Sequence, residues 1–438
     1  MKSEVDMVFK RNAYVRRLMS SRNNGFVKII TGVRRCGKSY LLFNLFKKRL
    51  VQDGVRRENI IEVKLDEGRN EKLRNPRVLE EFVRRRVRSK RERYCAFIDE
   101  IQYCYEVPLA DNPKIMFTFY DTLNGLMKIS NLDIYVTGSN SRLLSKDVAT
   151  HFRDRGEEVQ VHPLTFAEVH EAFKGDMYRE WMAYLTFGGM PGALLKNTEE
   201  EKRRYLAGLF RTTYLRDIVE RYNLKDDYAL GRTVDIVASV AGSLTNPTKL
   251  AHAMQNELGV RISIPTVKNY LGYLEDAFLF RKADRFDVKG KRYLDYPAKY
   301  YAEDVGLRNA RLNFRQIEPD HLMENVIFSE LVARGADVDV GVVDTEVVKD
   351  GVRHRRQLEI DFIVNLGLGK IYIQSAYAMN SERKKSQETA SLEKSGDSFR
   401  KLVILGVPQP RYTDDKGITY IGVMDFLLDP SVLNALIA

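Results

Sequence analysis

The sequence predicts an α/β fold built on a parallel sheet with helices on both faces, and two observations predict it. Apolar β-like runs at Phe26–Thr31, Asn59–Leu65, Tyr94–Ile98, Leu132–Thr137 and Glu157–Val161 have helical stretches between most of them. That alternation buries a parallel sheet between two helix layers. The first run leads into Gly32-Val33-Arg34-Arg35-Cys36-Gly37-Lys38-Ser39, a complete G-x-x-x-x-G-K-S loop, and Tyr40–Leu50 continues with the apolar spacing of a helix. A strand, a glycine-bounded loop and a helix in that order form a concave anion site of backbone N–H groups.

The side chains of the loop give the anion a chemical class. Gly32 and Gly37 let the chain curl around phosphates, and Val33, Arg34, Arg35, Cys36 and Tyr40 complete the binding segment. Lys38 is expected on the β- and γ-phosphates, with the Ser39 hydroxyl placed to ligate Mg²⁺. The run Tyr94–Ile98 ends in Asp99-Glu100, the second element that a nucleoside triphosphatase needs. Asp99 would hold the Mg²⁺ shell through water, and Glu100 would polarise the attacking water as general base. The run Asn59–Leu65 lies between these two elements, which suggests the class with an extra strand between the loop strand and the Asp-Glu strand.

Further along, Leu132–Thr137 ends in Gly138-Ser139-Asn140-Ser141. A polar side chain at that strand tip would sit beside the γ-phosphate, so Ser139 and Asn140 are candidates; a plain turn is the alternative. Arg153 and Arg155 are candidates for stabilising charge that builds on the transferring phosphate, from the same chain or from a neighbouring subunit. The alternative is a surface pair held by Asp154 and Glu157.

Composition excludes several classes. At 438 residues the chain is too long for one compact core, so two or three domains are expected. Hydrophobic content of 44% with 30% charged residues describes a globular rather than a disordered protein. No apolar stretch approaches membrane-spanning length, the N-terminus lacks the apolar core of a secretory signal, and no membrane partner is expected. The three cysteines form no C-x-x-C pair, which suits a reducing cytoplasm and no zinc site. A net charge of +11 favours polyanionic partners. The densest basic run, Arg84–Arg93, carries seven Lys or Arg residues. Val78, Leu79, Phe82, Val83 and Val87 recur around it at helical spacing, so the arginines form either the solvated face of a packed helix or a nucleic-acid contact.

Beyond the first core, Gly188-Gly189-Met190-Pro191-Gly192 breaks a mostly helical region. Helical patterns near Asp235–Ser243 and Lys249–Glu257 precede Ser263-Ile264-Pro265, a helix start with proline in the first turn. That third helix carries Val267, Tyr270, Leu271 and Leu274 on one face and Thr266, Lys268, Asn269 and Tyr273 on the other. A hairpin from Phe278–Val288 and the basic turn Lys289–Arg292 complete a winged-helix pattern, whose open face suits duplex DNA. Packing of this segment against the chain's own core or a protein partner is the alternative. From about 311 the chain reads as mixed α/β, with strands near Val338–Val343, Leu358–Asn365, Lys370–Gln374 and Lys401–Leu405.

Taken together, GVRRCGKS, FIDE, TGSNS, HFRDRG with HPLTF, FGGMPG and TTYLRDIVER resemble a family of prokaryotic AAA+ ATPases with a C-terminal domain of unknown function. The match continues through SLTNPTKLA, SIPTVKNYLGYLEDAFLF, YAEDVGLRNA, HLMENVIFSEL and EIDFIV, covering nearly the whole chain. The resemblance implies an AAA+-like P-loop core over 1–165, a helical lid or linker over 166–230, a winged helix over 231–310 and a PD-(D/E)XK (restriction-endonuclease-like) α/β domain over 311–438. It implies ATP as ligand. In the last domain Glu324 fits the helix acid and Asp361 the strand acid, while the acid–x–Lys element falls on Gln374-Ser375-Ala376. Two carboxylates without that lysine should bind Mg²⁺ poorly and cleave slowly, if at all.

The expected function is therefore ATP hydrolysis with Mg²⁺, coupled to movement of the C-terminal region on DNA or another partner. The alternative is a nucleotide-gated DNA-binding or regulatory module with little hydrolysis. A homo-oligomer is expected if an arginine acts in trans.

Overall fold

The structure, a computed structural model, describes residues 9–109, 111–139, 155–225, 227–349, 352–367 and 369–437. It comprises two compact units, one of residues up to Pro163 with Asp276–Phe278, the other of the remainder. Among the described residues no helix is long and apolar enough to cross a membrane.

In the first unit, strands β1 (Val27–Thr31), β2 (Ile60–Lys64), β3 (Tyr94–Asp99), β4 (Leu132–Thr137) and β5 (Gly156–Gln160) form a sheet ordered β2-β3-β4-β1-β5. Every pair is parallel. The strand separating β1 from β3 in space is β4; β2, which lies between them in sequence, is an edge. β1 and β3 are buried along their whole length, as central strands covered on both faces must be. The two-residue period splits their side chains. Val27, Ile29, Ala96, Ile98, Ile134 and Val136 share one core with Leu79 and Val83 of helix α3 (Pro76–Arg86) and Leu123 and Leu126 of α4 (Phe119–Leu126). On the opposite face Phe97 and Tyr135 meet Phe43 and Phe46 of α2 (38–52), ring centroids 4.9–5.9 Å apart. Two helices precede these in the chain order: α1 (Asn12–Ser20) and α2, which follows the loop directly.

The basic run divides at Arg86. Its first three arginines lie exposed in the last turn of α3, with Arg84 and Arg85 paired to Glu80 and Glu81 one turn earlier. The solvated-face alternative describes this part, and the residues after Arg86 have left the helix.

The second unit begins with α5 (Phe166–Phe173), α6 (Met177–Phe187) and a long helix α7 (199–222) that passes through a π-helical segment, Phe210–Tyr214. Then come α8 (Asp227–Ser239), α9 (Pro247–Leu258), α10 (Ile264–Asp276) and a hairpin, β6 (Phe280–Asp287) with β7 (Arg292–Ala302). Three helices precede a hairpin, but the segment Phe278–Val288 expected to form that hairpin supplies only its first strand, the basic residues from Lys289 form its turn, and the second strand runs on to Ala302. The hairpin does not stand apart, however. β8 (Asp337–Lys349), β9 (Val352–Leu366), β10 (Gly369–Ala376), β11 (Arg400–Leu405), β12 (Tyr412–Thr413) and β13 (Ile418–Gly422) complete one eight-stranded sheet ordered β12-β13-β11-β10-β9-β8-β6-β7. β6 runs parallel to β8, with Phe286 opposite Gly341. Strands from both sides of residue 310 thus share a single sheet.

Helices α11 (Val305–Arg311), α12 (Pro319–Ala333) and α13 (Glu382–Glu393) complete the elements used below. α12 lies on the sheet through Val326, Ile327, Phe328 and Leu331, which pack with Phe362, Ile371, Ile373, Leu402 and Ile404. Phe328 stacks on Tyr301 at 4.1 Å. The Gly188-Gly189 turn is held by Asp304: Gly189 N–H donates to its Oδ2 at 2.6 Å, and Oδ1 caps α11 by accepting from Leu307 N–H at 2.9 Å. A Cβ on Gly189 would lie 1.9 Å from the Leu164 carbonyl oxygen, so only glycine fits.

Candidate functional site

The loop between β1 and α2 closes on itself at the C-terminal end of β1. Gly32 takes φ 132°, and a Cβ there would lie 2.0 Å from the Val161 carbonyl oxygen. That carbonyl also accepts from the buried Cys36 thiol at 3.2 Å, so cysteine inside the loop anchors it to the segment after β5. Arg35 and Gly37 both have positive φ, at 67° and 103°. Successive backbone reversals of this kind turn N–H groups toward a common centre. Lys38 is 4% exposed, and its ammonium donates to the Gly32 and Val33 carbonyls at 2.9 and 3.1 Å. The cation is therefore fixed over the loop rather than extended into solvent. Arg34 is half-buried, and Arg35 and Tyr40 are exposed beside it.

Ser39 and Asp99 meet here. The Ser39 hydroxyl donates to Asp99 Oδ1 at 3.1 Å. Thr137, the last residue of β4, donates to the same oxygen, and its own hydroxyl accepts from Glu100 N–H at 2.9 Å. Burial, with the neighbouring Glu100 charge adding to it, pushes the Asp99 carboxyl above its usual range. Glu100 adopts φ 53°, an uncommon conformation for a glutamate that turns the chain at the strand end. Gln102 donates to Glu100 Oε2 and lies 3.4 Å from Ser139 Oγ.

The structure thus gathers Gly32 to Ser39, Asp99, Glu100 and Ser139 at one end of the sheet. Two members were missed in the sequence, Thr137 and Gln102. Thr137 closes a β-like run immediately before Gly138, a position that could have flagged it; Gln102 carried no signal of its own. Arg155 is not brought to the site. It is exposed at the start of β5, its carbonyl accepting from Val27 N–H at 3.0 Å. Val27 begins β1 and the loop follows its end, so the strand's length separates them, about 16 Å at ~3.3 Å per residue. Asn140 and Arg153 lie outside the described residues.

On α10 the expected open face is only partly open. Lys268 and Asn269 are exposed, but Tyr273 stacks on Tyr222 of α7 with centroids 3.6 Å apart, and Thr266 Oγ1 lies 2.7 Å from Ser263 Oγ. In the basic turn, Lys289 donates to the Asp344 carbonyl at 2.8 Å, which ties the turn to β8.

The C-terminal acids correct one sequence expectation. Glu324 of α12 and Asp361 of β9 do come together, lining a cleft of about 410 Å³ with Gln374. A lysine is present among them after all. Lys299 of β7 is buried, with Nζ 2.8 Å from Glu324 Oε1, 2.7 Å from Glu359 Oε1 and 3.9 Å from Asp361 Oδ1. Burial works against its charge, but Glu324, Asp361 and Glu359 outweigh burial and hold the ammonium above its ordinary pKa. Burial, then the Glu324 charge, raises the Asp361 carboxyl well above the usual carboxylate range. Gln374 is itself buried and accepts from Ser391 at 3.4 Å. The acid–x–Lys position itself holds Ala376, and the ammonium beside the two acids comes from the hairpin rather than from β10.

Comparison with known proteins gives two family matches, an AAA domain over residues 24–170 and a domain of unknown function over 178–318. An uncharacterized protein of Haemophilus influenzae is 31% identical over 426 residues, 96% of this chain and 99% of that one. One of Methanocaldococcus jannaschii is 29% identical over 388 residues, 84% of this chain and 78% of that one. Among solved structures, AMPPCP-bound DnaA from Aquifex aeolicus has a TM-score of 0.31 at 15% identity, covering 61% of this chain and 87% of that one. The Aeropyrum pernix ORC1 protein in complex with DNA has 0.29 at 13% identity, covering 71% and 94%. Likenesses this distant bear on neither ligand nor partner.

Proposed function

We infer the function from the family to which the chain belongs, that of the Haemophilus influenzae relative, AAA-domain proteins with a C-terminal domain of unknown function. Membership makes the first unit an AAA-type nucleotide-binding domain. We propose that it binds ATP with Mg²⁺ and hydrolyses it. The observation that carries this reading is the convergence of Lys38, Ser39, Asp99 and Glu100 at one sheet end.

The donor set suits magnesium. That ion takes few protein ligands and keeps most of its waters, and a serine hydroxyl beside one buried carboxylate meets the requirement. When bound, Mg²⁺ would neutralise charge on the β- and γ-phosphate oxygens. The loop N–H groups and Lys38 bind and orient the triphosphate. Glu100, its backbone fixed by Thr137 and its carboxylate by Gln102, takes the proton from the attacking water. Ser139, linked to Glu100 through Gln102, senses the γ-phosphate end. Arg155, at the far end of β1, would act on a neighbouring copy's nucleotide, which requires a homo-oligomer. Three free cysteines, two of them buried, fit a cytoplasmic setting.

Movement of the second unit during the cycle belongs to the same proposal, with no strand cleavage by the Glu324–Asp361 cluster. A DNA-binding output is the second reading, favoured by exposed Lys268 and Asn269. The test is phosphate release by the full chain with Mg²⁺, with and without duplex DNA. Glu100→Gln should slow release by about 10²-fold or more, as loss of a general base does; an unchanged rate would remove the hydrolysis reading. Stimulation by DNA would support the second reading.

A further inference from the structure

The second unit holds a basic pocket that none of the functions above uses. It opens between α7, α8 and α11, with a volume of about 340 Å³, and Arg211, Arg232, Arg311 and Arg315 line it with a single acid, Asp235. That acid is already engaged by the two inner arginines. Arg232 reaches Asp235 Oδ2 at 2.9 Å, and Arg311 Nε lies 2.6 Å from Oδ1, an ion pair whose geometry falls short of a hydrogen bond. Arg311 also donates to the Gly231 carbonyl at 2.8 Å. These contacts fix the inner guanidinium groups in place.

The outer pair is different. Arg211 and Arg315 are exposed, and neither has a carboxylate partner among the described residues. The Nε of Arg232 is buried and likewise finds no acceptor there. Four arginines therefore line a small opening that holds one carboxylate, which leaves positive charge in excess and donors unused. Like charges at short range repel unless an anion intervenes, and a buried N–H without an acceptor is costly. Guanidinium groups are also the side chains best suited to planar, bidentate recognition of phosphate oxygens.

We propose that this pocket is a binding site for a phosphate-class oxyanion, distinct from the loop at Gly32–Ser39. Its chemistry is that of a phosphoryl group clamped by Arg211 and Arg315 and backed by Arg232. Two sources present that chemistry, a free polyphosphate or nucleotide and the phosphodiester backbone of a nucleic acid, and the test separates them.

The full chain carrying Lys38→Ala, which weakens binding at the loop, is titrated with pyrophosphate by calorimetry and with a fluorescent oligonucleotide by anisotropy. The same titrations follow on this protein with Arg211→Ala and Arg315→Ala added. Both arginines are exposed, so the fold should survive, and unchanged circular dichroism checks it. A control removes two exposed arginines elsewhere, Arg353→Ala and Arg383→Ala, to account for net charge. The proposal expects a tenfold or greater loss of affinity in the pocket variant and little change in the control. Loss for pyrophosphate alone assigns a free phosphate ligand; loss for the oligonucleotide assigns a nucleic-acid strand. Equal affinity of pocket variant and control for both probes would overturn it, as would an absence of binding by either probe before the arginines are removed. Because the comparison is made within the Lys38→Ala background, failure here leaves the ATP reading untouched.

Discussion

The Ser39 hydroxyl donates to Asp99 at 3.1 Å, joining the first turn after the phosphate loop to the end of β3. The strand that leads into the loop, β1, is not a neighbour of β3, since β4 runs between them. Thr137 at the end of β4 fills that gap, bonding both Asp99 and the Glu100 backbone. The acid pair is therefore positioned by the middle strand as well as by its own. A carboxylate buried at such a junction is stable only with donors around it, and Ser39 and Thr137 are those donors.

Gly32→Ala should disable the loop without touching any ligand-binding side chain. The new Cβ would fall 2.0 Å from the Val161 carbonyl oxygen, at φ 132°, so the backbone must shift and the chain loses about 2 kcal/mol or more. Denaturant unfolding and nucleotide binding measured together check this. Wild-type stability with wild-type binding would show that the close approach is absent in solution.

Asp304 should make the second unit less stable as pH rises. Burial raises its pKa from 3.8 to about 6, against the backbone hydrogen bonds that lower it. A carboxyl with a raised folded-state pKa contributes stability that is full below its unfolded pKa and lost as pH climbs through the folded value. The window is therefore about pH 4 to 6, and the contribution is about 3 kcal/mol at 1.36 kcal/mol per pH unit. Unfolding of wild type and Asp304→Asn across pH 4–7 reads it. The wild-type curve should fall relative to the variant's, and parallel curves would contradict the assignment.

Lys299→Met should strand three carboxylates. Removing one partner of a buried charge cluster costs about 3–5 kcal/mol, and Glu324, Glu359 and Asp361 would then face one another without their ammonium. The variant should recover stability with added Mn²⁺, whereas wild type should show no such gain. A thermal-melt series with and without Mn²⁺ distinguishes them. Equal stabilisation of both proteins would mean that the lysine does not hold the cation's place.

The first unit was largely legible because its signals are local. An eight-residue loop, an acid pair at a strand end and alternating apolar runs each declare themselves within a short window, and the strands fall within one or two residues of their expected limits. What escaped depends on contacts distant in sequence. Lys299 reaches Asp361 only because β6 and β7 continue the C-terminal sheet, and no periodicity in either segment encodes that pairing. Tyr273 read as part of an open face because its partner, Tyr222, lies on a helix about 50 residues earlier. Arg155 is a candidate by residue type alone, from the same chain or a neighbouring subunit, and only the strand pairing shows that its end of β5 is the one remote from its own loop.

Calorimetry of Mg²⁺-ATP binding to the full chain tests the central claim most directly. Wild type should bind Mg²⁺-ATP at the loop, and Lys38→Ala should weaken that binding about 100-fold, a loss of ~2.7 kcal/mol in charge-assisted hydrogen bonds. A folded wild-type protein that takes up no ATP, or a Lys38→Ala protein that binds it as tightly, would contradict the account.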